Sequence, residues 1–448
     1  MQKRKKTALF LALVWMLLQL SGCFMKGTEE LYCVPKRSDD YLSLQEEVEA
    51  AIGGGEYCAP ISGDHRQAIQ QADLNGDGKD EYIVYARTGE ESPLKVFVFQ
   101  NSGSGYTLQS TVSGEGNTFD SVCYAQIDGV PGMEMIVGRK VGEQVLQMLT
   151  VYTFHQGEVG ELVSTGYTDF RIKDLDEDGL TDLFVVRSDP EQRNAVAELY
   201  RWHEGELARE NEANLSFPAE SYKQTANGTL ENGIPAFFVA GTYDENNIIT
   251  DVLTLTDGVF RNITLSDESG ISTSTVRSYF VYSTDIDGDG ITEIPNTLRL
   301  ASVSWDAQTE NQYVIVWSTV NEDGKRTEKL RTYHNFTDGW YLTLPADWTE
   351  HLMVSRRMQG MSMGYSFYQL KSGDKAERFL SIYAENGNDA HDGSDPTQGL
   401  VLASWNGISY TVYVDANSIA SKLTADELRE MFHRIVTEVN AAEIGTTS

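Results

Sequence analysis

The chain has 448 residues, with 35 Lys and Arg against 67 Asp and Glu, a formal charge of −32. That balance excludes a nucleic-acid partner, because gripping phosphate needs clustered positive charge. Hydrophobic residues make up 40% of the chain, with 22 Tyr, 17 Phe and 7 Trp, so packed cores rather than an acidic disordered tail are expected. Four Cys exclude a disulfide scaffold.

The first segment reads as an address. Lys3, Arg4, Lys5 and Lys6 precede an apolar run from Ala8 to Leu20, too short for a comfortable bilayer span of ~20 residues. The run ends in Leu20-Ser21-Gly22-Cys23, which resembles the lipobox of bacterial lipoproteins. The resemblance implies cleavage of residues 1–22 and lipidation of Cys23, hence a membrane partner through the lipid anchor and an extracytoplasmic location. A diacylglycerol supplies the two chains that stable anchoring takes. Residues 23–59 then read as the lipidated Cys with a linker or helix. Cys33 and Cys58 pairing with each other and buried free thiols both stay open, and Cys123 is left over.

From residue 60 a repeat begins. Asp73-Leu-Asn-Gly-Asp-Gly-Lys-Asp-Glu81, Asp174-Leu-Asp-Glu-Asp-Gly-Leu-Thr-Asp182 and Asp285-Ile-Asp-Gly-Asp-Gly-Ile-Thr-Glu293 each place oxygen-bearing side chains at loop positions 1, 3, 5 and 9, with Gly at 6. Alternating ligands in a tight loop aim several oxygens inward, which suits Ca²⁺ with its six to eight hard ligands. An EF-hand needs a Glu at position 12 and flanking helices; here position 12 is Val84, Val185 or Asn296, and strand-like runs follow. Two further copies keep the frame: Gln126-Ile-Asp-Gly-Val-Pro-Gly-Met-Glu134, and the segment from Leu230 through Glu231-Asn-Gly-Ile-Pro-Ala-Phe-Phe238. Between loops, short strands and turns recur, about four strands per unit, the spacing of a radial or closed β architecture.

The loop-then-strand unit resembles FG-GAP/VCBS-type repeats, as in the β-propeller of integrin α chains, over residues 60–335. The resemblance implies a mainly β fold, a β-propeller whose Asp-rich loops join the first two strands of each blade and bind Ca²⁺ at up to three structural sites. Five repeats are countable and five blades are favoured, with seven as in many family members, and residues 30–60 offering a closing strand. The ligands carried over are Asp73, Asn75, Asp77 and Glu81; Asp174, Asp176, Asp178 and Asp182; Asp285, Asp287, Asp289 and Glu293; with the carbonyls of Lys79, Leu180 and Ile291 at position 7. No metal is expected where Gln126, Val130, Leu230 and Phe238 hold ligand positions.

Residues 336–448 read as a separate α+β domain, with strands at 351–356, 364–370, 378–384, 400–405 and 408–414. A helix opens with the capping box Thr424-Ala-Asp-Glu427 and carries Leu428, Met431, Phe432, Ile435, Val436 and Val439 on one face. The order is similar to a PsbP-type sandwich. His391-Asp-Gly-Ser-Asp395 reads as a polar surface loop. With scattered His and no nucleophile or phosphate motif, the expectation is a non-enzymatic, calcium-stabilised surface lipoprotein that binds a protein or glycan. A polysaccharide hydrolase or lyase and a structural or assembly component of the envelope are the alternatives.

Overall fold

The computed structural model describes residues 39–89, 93–103, 105–142, 146–155, 157–189, 191, 193–278, 281–303, 306, 312–359, 362–371, 375–386 and 396–435. Cys23, Cys33, the 391–395 loop and the apolar positions Val436 and Val439 lie outside the described residues. Cys58 is a buried free thiol and Cys123 a half-buried one. No helix among the described residues is long and apolar enough to cross a membrane.

The fold is mainly β, and the described residues form six antiparallel sheets. After helix α1 (Asp39–Ile52), the first sheet holds β1 (Glu56–Tyr57), β2 (Ile69–Ala72), β3 (Glu81–Arg87), β4 (Leu94–Asn101) and β5 (Tyr106–Gly114). The second is the meander β6 (Thr118–Ala125), β7 (Glu134–Val141), β8 (Leu146–His155) and β9 (Glu158–Tyr167). The third contains β10 (Asp169–Lys173), β11 (Asp182–Arg187), β12 (Val196–His203) and β13 (Glu206–Asn214). The fourth contains β14 (Tyr222–Thr229), β15 (Pro235–Thr242), β16 (Ile248–Thr256) and β17 (Val259–Asn262). In the fifth, a single Thr284–Glu293 bridge stands where a first strand would be. It is followed by β18 (Ile294–Arg299), β19 (Tyr313–Val320), β20 (Arg326–Asn335) and β21 (Trp340–Leu344). The sixth comprises β22 (Leu352–Gln359), β23 (Ser362–Lys371), β24 (Lys375–Asn386), β25 (Leu400–Trp405) and β26 (Ile408–Val414).

The sheets stack face on face in chain order, and strand alternation explains how. Successive side chains of a strand point to opposite faces. In β3, Ile83 and Tyr85 pack toward the second sheet, while Val84 and Ala86 pack under α1. In β11, Leu183 and Val185 face the second sheet, while Phe184 and Val186 face the fourth. In β15, Phe237 and Val239 face the third sheet and Phe238 faces the fifth. Central strands are therefore buried on both sides, as in Glu134–Val141, where only the last two residues are partly exposed. A stacked Phe184–Phe237 pair, 4.2 Å between centroids, locks the third sheet to the fourth.

The row is open at its start. Leu44, Val48 and Ile52, spaced one helical turn apart, bury on Val84, Ala86, Phe97 and Phe99 of the first sheet. Among the described residues no apolar cluster joins the first sheet to the fifth or sixth, and no closed propeller is seen among them. The closing strand anticipated within 30–60 is instead β1, which extends the free edge of β3 beside β2.

Two expectations for the C-terminal part change. The fifth sheet runs across residue 336, because β21 pairs directly with β20, Asn335 opposite Trp340. The long helix is cut to α2 (Ala425–Glu430), which keeps its capping box. Its stripe breaks because Phe432 leaves the helix to pair with Leu342 in strand β27 (Phe432–Arg434). There its ring packs 5.3 Å from Trp340 and 5.5 Å from Tyr410, burial that a surface helix could not give it.

Candidate metal centres

The first two acidic loops each join two strands of one sheet, the third follows the Thr284 bridge into β18, and the backbone N–H groups fix the shape of all three. The acid at position 9 accepts from the N–H at position 2 in all three: Leu74 to Glu81 Oε2 at 2.9 Å, Leu175 to Asp182 Oδ2 at 2.9 Å, Ile286 to Glu293 Oε2 at 3.1 Å. The degenerate copy keeps the same bond, Ile127 to Glu134 Oε2 at 2.8 Å. The position 1 acids accept from the glycine N–H at position 6, Gly78 to Asp73, Gly179 to Asp174 and Gly290 to Asp285. The position 5 acids Asp77, Asp178 and Asp289 accept from Lys79, Leu180 and Ile291. Asn75 accepts from the N–H of Asp77 and gives its amide to Glu81 Oε1 at 2.7 Å.

The loops are also clipped to one another. Met133 N–H donates to the Asp73 carbonyl at 3.0 Å, Thr181 N–H to Gln126 at 2.8 Å, and Thr292 N–H to Thr229 at 2.9 Å. The row of loops thus runs along one end of the stacked sheets.

The second oxygen of the position 9 acid separates the loops. Glu81 Oε1 meets the Asn75 amide, Glu134 Oε1 meets the Thr153 hydroxyl at 3.2 Å, and Asp182 Oδ1 meets Arg201 Nε at 3.2 Å. Glu293 Oε1 is buried and has no partner among the described residues. Burial pushes the Glu293 carboxyl up to about 7, opposed by the Ile286 N–H and reinforced by Asp287 and Asp289. Burial likewise pushes Asp182 up to about 6, against the pull of the Leu175 N–H and Arg201.

Two loops hold a cation of the chain's own, which the sequence reading missed. Arg201 of β12 binds Asp176, Asp182 and Glu210. Lys329 of β20 binds Asp289 and lies 3.3 Å from Asp287. The first loop receives only the neutral Gln100, 3.3 Å from Asp77. For Arg201 the signal was a charged residue inside a mainly apolar strand, next to the Leu183–Tyr200 pair.

Several acidic clusters have the spacing to hold a metal ion. Ligand atoms of Asp174, Asp176 and Asp182 lie within 4.8 Å of one another, as do those of Asp285, Asp287 and Asp289. Asp73, Asp77 and Glu81 are not gathered as closely, and Asp178 and Glu293 stand apart from their clusters by this measure. A third cluster, Asp128, Glu134 and His155, falls in the loop from which no metal was expected. The copy beginning at Leu230 is no acidic loop: the Leu230 N–H closes on the Ile234 carbonyl at 2.8 Å, and Phe238 is buried in the core.

A separate polar cleft of ≈ 680 Å³ opens where β6, β10 and β14 converge. His65, Tyr124, Asp120, Arg171, Tyr222 and Asn227 are among its lining residues. None of the loop acids lines it.

No family model matches the chain, and no curated protein does. Distant likenesses exist among solved structures. A protein from Lactobacillus plantarum is 12% identical over 72% of this chain and 86% of its own, with a TM-score of 0.26. The exotype rhamnogalacturonan lyase YesX is 10% identical over 83% and 91%, with a TM-score of 0.28. The rhamnogalacturonan lyase PL11 of Bacillus licheniformis is 14% identical over 84% and 64%, with a TM-score of 0.30. Likenesses this distant assign the chain to no family.

Proposed function

We propose that the chain is a lipid-anchored extracytoplasmic binding protein, in which calcium stabilises a propeller-like row of blades that binds a protein or glycan without catalysis. The observation that carries the calcium reading is Glu293 Oε1, buried and without a partner among the described residues, in the loop that gathers Asp285, Asp287 and Asp289. An unmet buried acceptor costs about 1–3 kcal/mol, more when charged, and a dication removes that cost. Asp285, Asp287, Asp289 and Glu293 would hold it, with the Ile291 carbonyl. The all-oxygen donor set favours Ca²⁺ over metals that prefer nitrogen or sulfur. The first loop offers Asp73, Asn75, Asp77, Glu81 and the Lys79 carbonyl. In the second, Asp174, Asp176, Asp178, Asp182 and the Leu180 carbonyl compete with Arg201 for the same role.

The polar cleft is the binding face in this reading. One observation favours the hydrolase or lyase alternative: the His65 and Tyr124 rings lie in the cleft with centroids 5.2 Å apart. The Tyr124 hydroxyl, however, is committed to Gln70 at 2.7 Å and to Tyr85 at 2.9 Å, and burial raises its pKa, which works against a base.

The test is thermal unfolding of the full chain in detergent, with calcium chloride and with a chelator. Calcium is expected to raise the Tm and Glu293→Gln to blunt the rise. Equal melting in both conditions, with no calcium by elemental analysis, rejects the ion. A glycan array and envelope pull-down address the binding role; release of unsaturated or reducing ends from polysaccharide would overturn it in favour of catalysis.

A further inference from the structure

We infer that the degenerate loop of the second sheet is a site for a transition-metal dication of the Zn²⁺ class, held by Asp128, Glu134 and His155. Their ligand atoms lie within 4.8 Å of one another. The site is independent of the calcium reading and differs from it in chemistry. Val130 stands where the intact loops carry an acid. Gln126, at position 1, spends its amide on the loop itself, donating to the Val130 carbonyl at 2.6 Å and the Gly132 carbonyl at 2.9 Å. Too few oxygens remain for calcium, which takes six to eight, whereas two carboxylates and an imidazole are a sufficient protein ligand set for zinc.

Charge balance points the same way. The Asp128 side chain is 1% exposed, and Glu134 is buried too, at 1% for the whole residue. Among the described residues no Lys or Arg pairs with either, and only His155 faces them, its Nε2 2.6 Å from Asp128 Oδ2. A dication bound there would offset both carboxylates. Thr153 is placed to orient Glu134, its hydroxyl 3.2 Å from Oε1; its 2.7 Å contact with His155 Nε2 would give way to the ion. The His155 side chain is 34% exposed, which leaves an entry path. His203, at the matching end of β12, makes the contrast: its side chain is 81% exposed and lies 3.7 Å from the equally open Glu204, while Arg201 holds the loop acid Asp176.

The experiment is calorimetric titration of zinc chloride into the full, untagged, chelator-stripped chain in detergent, repeated for His155→Gln and His203→Gln. One saturable equivalent is expected in the parent and in His203→Gln, weakened ~10-fold or more in His155→Gln. The calcium-dependent Tm shift is expected to be the same in the parent and in His155→Gln, which separates this site from the calcium loops and shows that the variant is folded. Absence of saturable zinc binding, or binding unchanged by His155→Gln, overturns the assignment.

Discussion

Arg201 Nε donates to Asp182 Oδ1 at 3.2 Å, so the acid closing the second intact loop is neutralised by the protein itself. The corresponding oxygen of Glu293 has no partner among the described residues, because the third loop's own cation, Lys329, reaches Asp287 and Asp289 instead. Two loops with almost the same sequence therefore differ in how much they need an external ion. Replacing Arg201 by Gln removes the internal cation and leaves Asp176 and Asp182 crowded. The expected outcome in chelator is a loss of about 3 kcal/mol, the scale for breaking one side of a buried pair. Added calcium should restore more stability to Arg201→Gln than to the parent, because the loop can now accept it. Denaturant titration with and without calcium measures both effects. An identical calcium increment in the two proteins would show that Arg201 does not compete for the site.

Gly76 tests whether the loops act as a linked row. Its φ is +73°, and a Cβ there would lie 2.4 Å from the Pro131 carbonyl carbon and oxygen in the next loop. Gly129 has a similar φ of +75° but meets only the Leu180 side chain, at 3.5 Å. Gly129→Ala should cost about 1 kcal/mol, the conformational penalty alone. Gly76→Ala should cost roughly 2–3 kcal/mol, since backbone must also move. Equal costs, read from denaturant midpoints, would mean that the two loops are not packed against each other.

Much of this arrangement was legible in the sequence. The Asp-x-Asp/Asn-x-Asp-Gly spacing located the loops, and short strand-like runs such as 351–356, 364–370 and 408–414 located strands, observed as Leu352–Gln359, Ser362–Lys371 and Ile408–Val414. Local pattern suffices there because turn and strand residues lie next to each other in the chain. What the sequence hid depends on long-range pairing. Phe432 fits a helical stripe, yet it takes a strand position opposite Leu342, 90 residues earlier. Arg201 and His155 look like surface residues of their strands until the register sets them against Asp182 and Asp128. The cover over the first sheet was hidden for the same reason: the apolar face of 39–52 does not say which sheet it caps.

The anchor reading rests on Leu20-Ser21-Gly22-Cys23. Cys23→Ala removes the one thiol placed for lipidation, and two acyl chains are what hold such a protein on a bilayer. Fractionation of expressing cells should move the variant from the membrane pellet to the soluble extracytoplasmic fraction. Retention in the pellet at the parent level would refute lipid anchoring while leaving the fold untouched.

His334 gives the fold an acid sensitivity of its own. The residue lies in β20, stacked on Tyr341 at 4.8 Å and 5.3 Å from Phe336. Both ring nitrogens are buried without a partner among the described residues. Burial holds the imidazole down to about 3, against ~6.5 for a free side chain. Between those values the unfolded chain binds a proton that the folded chain does not, so stability falls as pH drops below 6.5. From pH 7 to pH 5 the cost is on the order of 2 kcal/mol. His334→Phe preserves the stacking and removes the titrating group. Its unfolding free energy should match or exceed the parent's at pH 7, since two unmet polar atoms disappear. Its decline from pH 7 to pH 5 should be shallower by about the same 2 kcal/mol. Guanidinium titrations of both proteins at the two pH values give the comparison, and parallel declines would locate the acid sensitivity elsewhere in the sheets.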